Sequence, residues 1–435
     1  MKYKISIYTK RLVINSQIFL YNTFTDKLLA LSVDVDKIID NNVEHLEDIA
    51  NVHNHLFTEL LNNKFIVPYY VEEWKDVVNV WKKEDSSLDK FTIIVNPTLN
   101  CNMRCWYCYE KHNVQAYMTD DVLERIFLLV HRKVSMEELK GFNIDFFGGE
   151  PLLHYKNCVL PILHKAYQEC VKFNKQLFVS FTTNAYLLSD KVLNELKLFS
   201  KWGDINFQIT LDGNNFFHDK TRALGGSQST YRIIIDNIHK SINNGHRVLV
   251  RLNYTDKNIL SFYDVIEDFT NLSMNAKQKL SFSLHKIWQE ADTPELNNKV
   301  KMIADAIKNE GFCVDSGQVL THSRCYADRD NCVVINYNGD IYKCTARDFV
   351  PEAREGILSK NGEIEWNEKY KYRNTIKYGY DKCHNCVIYP LCHAACSQVK
   401  LETEDNGCIK HLTERDKDEI IKNKVKSILI NKENV

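Results

Sequence analysis

Three cysteines, Cys101, Cys105 and Cys108, stand in the run Asn100-Cys101-Asn102-Met103-Arg104-Cys105-Trp106-Tyr107-Cys108-Tyr109, a C-x3-C-x2-C spacing. Three thiolates can hold a cubane iron–sulfur cluster while leaving one iron without a protein ligand. A four-thiol set closes a cluster for electron transfer, whereas an open coordination position is the mark of a catalytic metal site. A second concentration of cysteine lies near the other end of the chain. Cys383, Cys386, Cys392 and Cys396 are followed by Cys408, and Cys325 and Cys332 precede the G-x4-C run Gly339-Asp340-Ile341-Tyr342-Lys343-Cys344.

Composition decides between metal and disulfide. The chain has 435 residues, 14 cysteines and a net charge of −1. Disulfide-dense scaffolds are small and secreted. This chain is long, and its first thirty residues lack an unbroken apolar core because Asn15, Ser16 and Gln17 interrupt it, so no signal peptide is expected. Thiols held reduced in a cytoplasmic setting and used for metal are the expectation. C-x2-C pairs also build zinc knuckles, and that alternative stays open at this level. The near-zero charge offers nothing to track a phosphate backbone, so nucleic acid is not an expected partner. No window of eighteen apolar residues marks a membrane span.

The elements that must position these cysteines form three blocks. Residues 1–85 carry short β-branched runs, a strand–turn–strand over Tyr21–Leu31 and helical patterning from Val35 and over Glu47–Asn62, a small α+β module. A polar stretch, Lys82–Lys90, reads as a linker. Residues 91–310 alternate strand and helix. Strands are expected at Thr92–Asn96, Asn143–Phe147, Leu177–Thr182, Ile205–Thr210, Arg247–Asn253 and Lys279–Leu284, with helices such as Asp120–Lys133 and Tyr231–Asn244 between them. Six such units predict an α/β fold, a parallel sheet curving into a partial (β/α)6 barrel with its site at the carboxyl ends of the strands. The motifs fall there. The cysteine triad follows the first strand, Gly148-Gly149-Glu150-Pro151 the second, Thr183-Asn184 the third and Leu211-Asp212-Gly213 the fourth. Residues 311–435 lose the alternation and gain cysteine.

The triad, with Tyr107 before its last cysteine, together with the six-unit core and the glycine pair, resembles the radical S-adenosylmethionine (SAM) superfamily. The resemblance implies a [4Fe–4S] cluster on Cys101, Cys105 and Cys108, SAM chelating the open iron, and a 5′-deoxyadenosyl radical that abstracts a substrate hydrogen. It carries SAM contacts onto Gly148, Gly149 and Glu150 (the amino group), Thr210 and Arg222 (the carboxylate), Thr183 and Asn184 (ribose or carboxylate), and Tyr107 and Asn253 (adenosine). Independently, two glycines let backbone approach closely, and Arg222 offers a bidentate fork. The family run continues with glycine where this chain has Ala185.

The C-terminal cysteines resemble the SPASM extension of that superfamily. The resemblance implies two auxiliary [4Fe–4S] clusters, the first on Cys325, Cys332, Cys344 and Cys396, the second on Cys383, Cys386, Cys392 and Cys408. Cys158, Cys170 and Cys313 are left as buried structural thiols. Residues 1–85 resemble a PqqD-like peptide-recognition module, which takes a leader peptide as an added strand. Together these resemblances imply a cytoplasmic oxidoreductase that oxidatively modifies a ribosomally made precursor peptide by a thioether or carbon–carbon crosslink, supplied with electrons by an external flavodoxin or ferredoxin type of donor. Two alternatives accompany it. One is an anaerobic sulfatase-maturating enzyme, in which an acid directly follows the cysteine of the G-x4-C run; here Thr345 stands there, with Asp348 three residues on. The other is a non-catalytic, metal-bound scaffold for a peptide.

Overall fold

A computed structural model describes residues 1–201, 203–224, 229–315, 324–403 and 407–433. The chain divides into two units. The first comprises Met1–Ser86, Val319–Arg329 and Lys371–Val435, the second Ser87–Gln318 and Asp330–Tyr370.

In the first unit, β1 (Tyr3–Ile5) pairs antiparallel with β5 (Ile66–Pro68), while β2 (Thr9–Ile14), β3 (Gln17–Asn22) and β4 (Lys27–Leu31) form a meander with β4 at one edge. The β3–β4 turn is shaped by Asn22, whose Oδ1 accepts from the backbone N–H groups of Phe24 and Thr25, each at 3.0 Å. Ser32 then caps the helix Val33–Asn41 by accepting from Val35 N. Leu20, Leu31, Ile39, Leu56 and Leu60 close a small core between sheet and helices. The other sheet face carries Leu12, Ile14, Phe19 and Tyr21, which pack against Ile388, Leu391, Ile421 and Val425 of the C-terminal segment. The expected linker over Lys82–Lys90 holds only in part. The helix Glu73–Asp85 runs into it, and Asp85 is buried in an ion pair with Arg324, a partner no local pattern announces.

The second unit is built on an eleven-stranded sheet. Its parallel part is β6 (Lys90–Val95), β7 (Gly141–Phe146), β8 (Gln176–Thr183), β9 (Ile205–Leu211), β10 (Arg247–Tyr254) and β11 (Leu280–Lys286), paired in chain order, with the short β12 (Cys313–Asp315) beyond β11. These six strands are the expected partial barrel. On the far side of β6 the sheet continues through β13 (Cys332–Ile335), parallel to β6, and then antiparallel through β14 (Asp340–Tyr342), β15 (Gly356–Leu358) and β16 (Ile364–Trp366). The expected third block, 311–435, is therefore not one body. Val333, Val334 and Ile335 are wholly buried and draw residues 330–370 into the barrel sheet.

Parallel strands covered on both faces read as continuous apolar runs; these strands alternate instead. Ile93, Ile144, Phe181, Phe207, Ile209 and Val250 are wholly or almost wholly buried on one face. Their neighbours Thr92, Asn143, Thr182, Gln208, Thr210 and Arg251 are half-buried on the other. Period-two alternation places each set on one side of the sheet. One side is therefore core beneath the helices; the other is a polar face that leads to the strand ends where the motifs lie.

Candidate active site

The loop after β6 carries the triad, and backbone contacts at the end of β7 fix its course. Gly149 N donates to Thr98 O at 3.1 Å and Glu150 N to Asn100 O at 2.8 Å. A Cβ at Gly148 would lie 2.5 Å from Thr98 O, and one at Gly149 would lie 2.2 Å from Asn100 O. Gly148 also has φ +100°, a region open to glycine. What fills the space of the missing side chains is thus the cysteine loop itself.

Glu150 is completely buried. Its Oε1 accepts from Leu152 N at 3.0 Å and Thr183 Oγ1 at 2.7 Å, and its Oε2 accepts from Asn184 N at 2.7 Å. Burial raises the carboxyl's pKa, and these three donors oppose the shift. The carboxylate therefore joins the end of β7 to the end of β8. From β8, Asn184 Nδ2 reaches back to Asn102 Oδ1 at 2.7 Å, with Cys101 Sγ 3.9 Å away. Glu150, Thr183 and Asn184 form one brace that ends on the first cysteine.

A second brace holds the last cysteine. Tyr107 Oη donates to Asp212 Oδ1 at 2.7 Å, and accepts from Arg222 Nη2 at 2.7 Å and Asn253 Nδ2 at 3.0 Å. Arg222 Nε also donates to Asp212 Oδ2, so the pair is an ion pair as well. Both residues are buried. Burial works against the Arg222 charge, but Asp212, Cys105 and Tyr107 outweigh it and hold the guanidinium charged. Burial, opposed by Arg222 and aided by Asp212, keeps the Tyr107 phenol protonated. Thr210 lies lower on β9, opposite Arg251 of β10, and Arg251 Nε donates to Asn253 Oδ1 at 2.9 Å.

Of the expected SAM contacts, the side chains of Tyr107, Glu150, Thr183, Asn184, Arg222 and Asn253 thus have polar protein partners. Asp212 stands in a strand-end motif of the sequence but was given no role there. Its signal was its place, directly before Gly213 at the end of β9. Glu110, just past the triad, was also missed. Its Oε2 is buried without a hydrogen-bond partner among the described residues, and burial, then Asp348, pushes its pKa up to about 8. Asp348 also accepts from Lys111 N at 3.2 Å, so an acid displaced by three residues in sequence returns to the triad's loop in space.

Cys101, Cys105, Cys108, Cys383, Cys386, Cys392, Cys396 and Cys408 form no disulfide. Burial raises the pKa of Cys101 to about 12 and of Cys108 to about 11, so a metal taken here must displace protons. In the first unit, Cys383, Cys386, Cys392 and Cys408 line one cavity of about 190 Å³. His393, Ala394 and Ala395 have φ of 53°, 60° and 62°. Three successive left-handed non-glycine residues are costly, and they turn the chain around that cavity. Four thiols lining one cavity are the donor set that a four-thiolate iron–sulfur cluster requires. Of the set expected for the first auxiliary cluster, Cys325 and Cys396 belong to the first unit and Cys332 and Cys344 to the second. Cys158 and Cys170 are buried in the barrel core as expected. Cys313 is exposed on β12, against expectation, because that strand lies at the sheet edge.

Comparison with known proteins places these features. Residues 95–266 match the radical SAM superfamily. GTP 3′,8-cyclase of Clostridium botulinum (strain Hall) is 32% identical over 182 residues, 41% of this chain and 51% of the relative; the chain thus spans about half the length of that relative. A cysteine-type anaerobic sulfatase-maturating enzyme of Clostridium novyi is 23% identical over 372 residues, 74% of this chain and 91% of the relative. Among solved structures, anSMEcpe with bound AdoMet superposes with TM-score 0.59 at 16% identity, covering 79% of this chain and 98% of that one. Streptococcus suis SuiB bound to precursor peptide SuiA gives TM-score 0.50 at 13% identity, covering 93% and 98%. At such identities these two likenesses establish the fold. No helix among the described residues is long and apolar enough to cross a membrane.

Proposed function

From the premise that this chain carries a radical SAM domain and is an enzyme of that superfamily, we propose that it oxidatively modifies a ribosomally made precursor peptide. SAM and a [4Fe–4S] cluster are what the domain implies; bound at Cys101, Cys105 and Cys108, they supply one-electron chemistry and hydrogen-atom abstraction. The chain's own residues do the rest. The Glu150–Thr183–Asn184 brace and the Tyr107–Asp212–Arg222–Asn253 brace fix the triad from both sides. In this reading Thr210 and the main-chain groups of Gly148 and Gly149 face SAM, and the braces hold them in register. The half-buried polar face of β6–β10 offers hydrogen bonds to a substrate segment.

The observation that carries the reading is the conjunction of the C-x3-C-x2-C triad after β6 with a separate cavity lined by Cys383, Cys386, Cys392 and Cys408. A substrate that has lost a hydrogen atom must lose an electron to end as a closed-shell product. A cluster on Cys383, Cys386, Cys392 and Cys408 would have no open iron, which suits electron transfer to an external flavin or iron–sulfur carrier. Peptide recognition is assigned to β4, one of the two edge strands of its meander among the described residues, where a leader strand would add main-chain hydrogen bonds. A precursor peptide seen on SuiB supports this substrate class. Co-expression with any short peptide found encoded in a reading frame next to this one, followed by mass measurement, tests it. Loss of a hydrogen pair per event marks a crosslink; an unmodified peptide with SAM cleavage intact rejects the peptide assignment.

A further inference from the structure

Lys400 follows Cys396 on the helix Ser397–Glu402 and lines the cavity of Cys383, Cys386, Cys392 and Cys408. It is 2% exposed. Lysine is almost never fully buried unless it is paired, yet among the described residues Lys400 forms no ion pair with a carboxylate. Its Nζ donates to Ile376 O at 3.1 Å and lies 5.4 Å from the centre of the Tyr380 ring. Burial lowers its pKa; opposing this, largest first, are Cys383, Asp328 and Cys392, while Arg324 acts with burial. The largest compensating partner of this ammonium is thus a thiol of the cavity. The other cations there differ. Lys382 is exposed and Lys417 is paired with Glu414 at 2.5 Å.

We propose that Lys400 is a positioning residue for charge: a fixed, buried ammonium that raises the reduction potential of the cluster held by Cys383, Cys386, Cys392 and Cys408. This rests on the proposed second auxiliary cluster. Reduction by one electron adds one negative charge to a four-thiolate cluster. Lys400 stabilises that added charge more than it stabilises the oxidised form, and away from water the attraction is weakly screened. The electron comes from the substrate radical left by hydrogen-atom abstraction, which thereby becomes the oxidised product, and leaves to an external one-electron carrier; Lys400 keeps its proton throughout.

The test is a potentiometric titration of the full, anaerobically reconstituted chain, read by electron paramagnetic resonance. The signal lost in a Cys383→Ala, Cys386→Ala variant identifies the cluster. If that variant loses neither iron nor signal, the cluster assignment fails, separately from the role of Lys400. At the potential where the wild-type cluster is half reduced, Lys400→Met is expected to lower the reduced-to-oxidised ratio about tenfold, equivalent to about 59 mV for one electron. Lys400→Arg is expected to keep the ratio within about threefold, and Lys382→Met on the solvated rim likewise. If Lys400→Met loses iron, Lys400→Gln against Lys400→Arg carries the same comparison. An unchanged ratio in the uncharged variant at full iron content overturns the proposal.

Discussion

Asp212→Asn is the perturbation that most strains the second brace. Asp212 and Arg222 are 2% and 9% exposed, and the carboxylate also receives the Tyr107 hydroxyl. Arginine does not neutralise by losing its proton, so the substitution leaves a buried guanidinium without its counter-charge. Removing one partner of such a pair costs about 3–5 kcal/mol. The cost falls on the loop that Tyr107 anchors, between Cys105 and Cys108. At about 1.4 kcal/mol per decade, local opening should rise from about a hundredfold to a few thousandfold. Hydrogen exchange of the amides of 102–109, followed by mass spectrometry, reads this directly, and exchange in β2–β4 of the other unit serves as control. Arg222→Met added to Asp212→Asn should restore most of the protection, because no buried charge then remains. If Asp212→Asn changes loop exchange less than about tenfold, or the double variant is as open as the sum of its parts, the brace does not hold the loop.

Three further outcomes follow from the same geometry. Gly149→Ala should drive a Cβ into the carbonyl of Asn100 and displace the cysteine loop, lowering iron by about four atoms per chain while the other clusters stay; full iron would refute it. Asp145, on the polar face, has its carboxyl pushed from 3.8 up to about 6 by burial, opposed by a hydrogen bond from Ser180. Its contribution to stability is present below the unfolded value and lost as pH rises through the folded one. Asp145→Asn should therefore stabilise the chain by at most about 3 kcal/mol near neutral pH and not at all near pH 3.5, and an equal gain at both would contradict the shift. Replacing Cys101, Cys105 and Cys108 by alanine should leave binding of the precursor peptide, measured by calorimetry, within about threefold of wild type, since β4 lies in the other unit; lost binding would move the peptide site to the barrel.

Much of this was readable beforehand because it is local. The six barrel strands declare themselves through period-two alternation, and each motif follows one of them, so the expected elements at Asn143–Phe147 and Leu177–Thr182 appear as β7 and β8. What escaped is long-range. Cys332–Ile335 is four residues of apolar sequence whose pairing to β6 no neighbour signals. Asp85 looks like linker until Arg324, more than two hundred residues on, is placed beside it. Glu150 and Arg222 are expected at the site through the family resemblance and their places after the strands. Their direct partners are protein atoms, because a buried charge in this fold is first satisfied by the chain itself. Cys313 was expected inside, but an edge strand of three residues gives it no cover.

On this account Cys101, Cys105 and Cys108 would hold a [4Fe–4S] cluster whose fourth iron is left open for SAM. The most direct test is 5′-deoxyadenosine formation by the anaerobically reconstituted, chemically reduced chain, measured by chromatography beside total iron. The wild type should contain about twelve irons and cleave SAM; the triple alanine variant should keep about eight and form none. A fully loaded wild type that makes no 5′-deoxyadenosine, or a triple variant that makes as much, would contradict it.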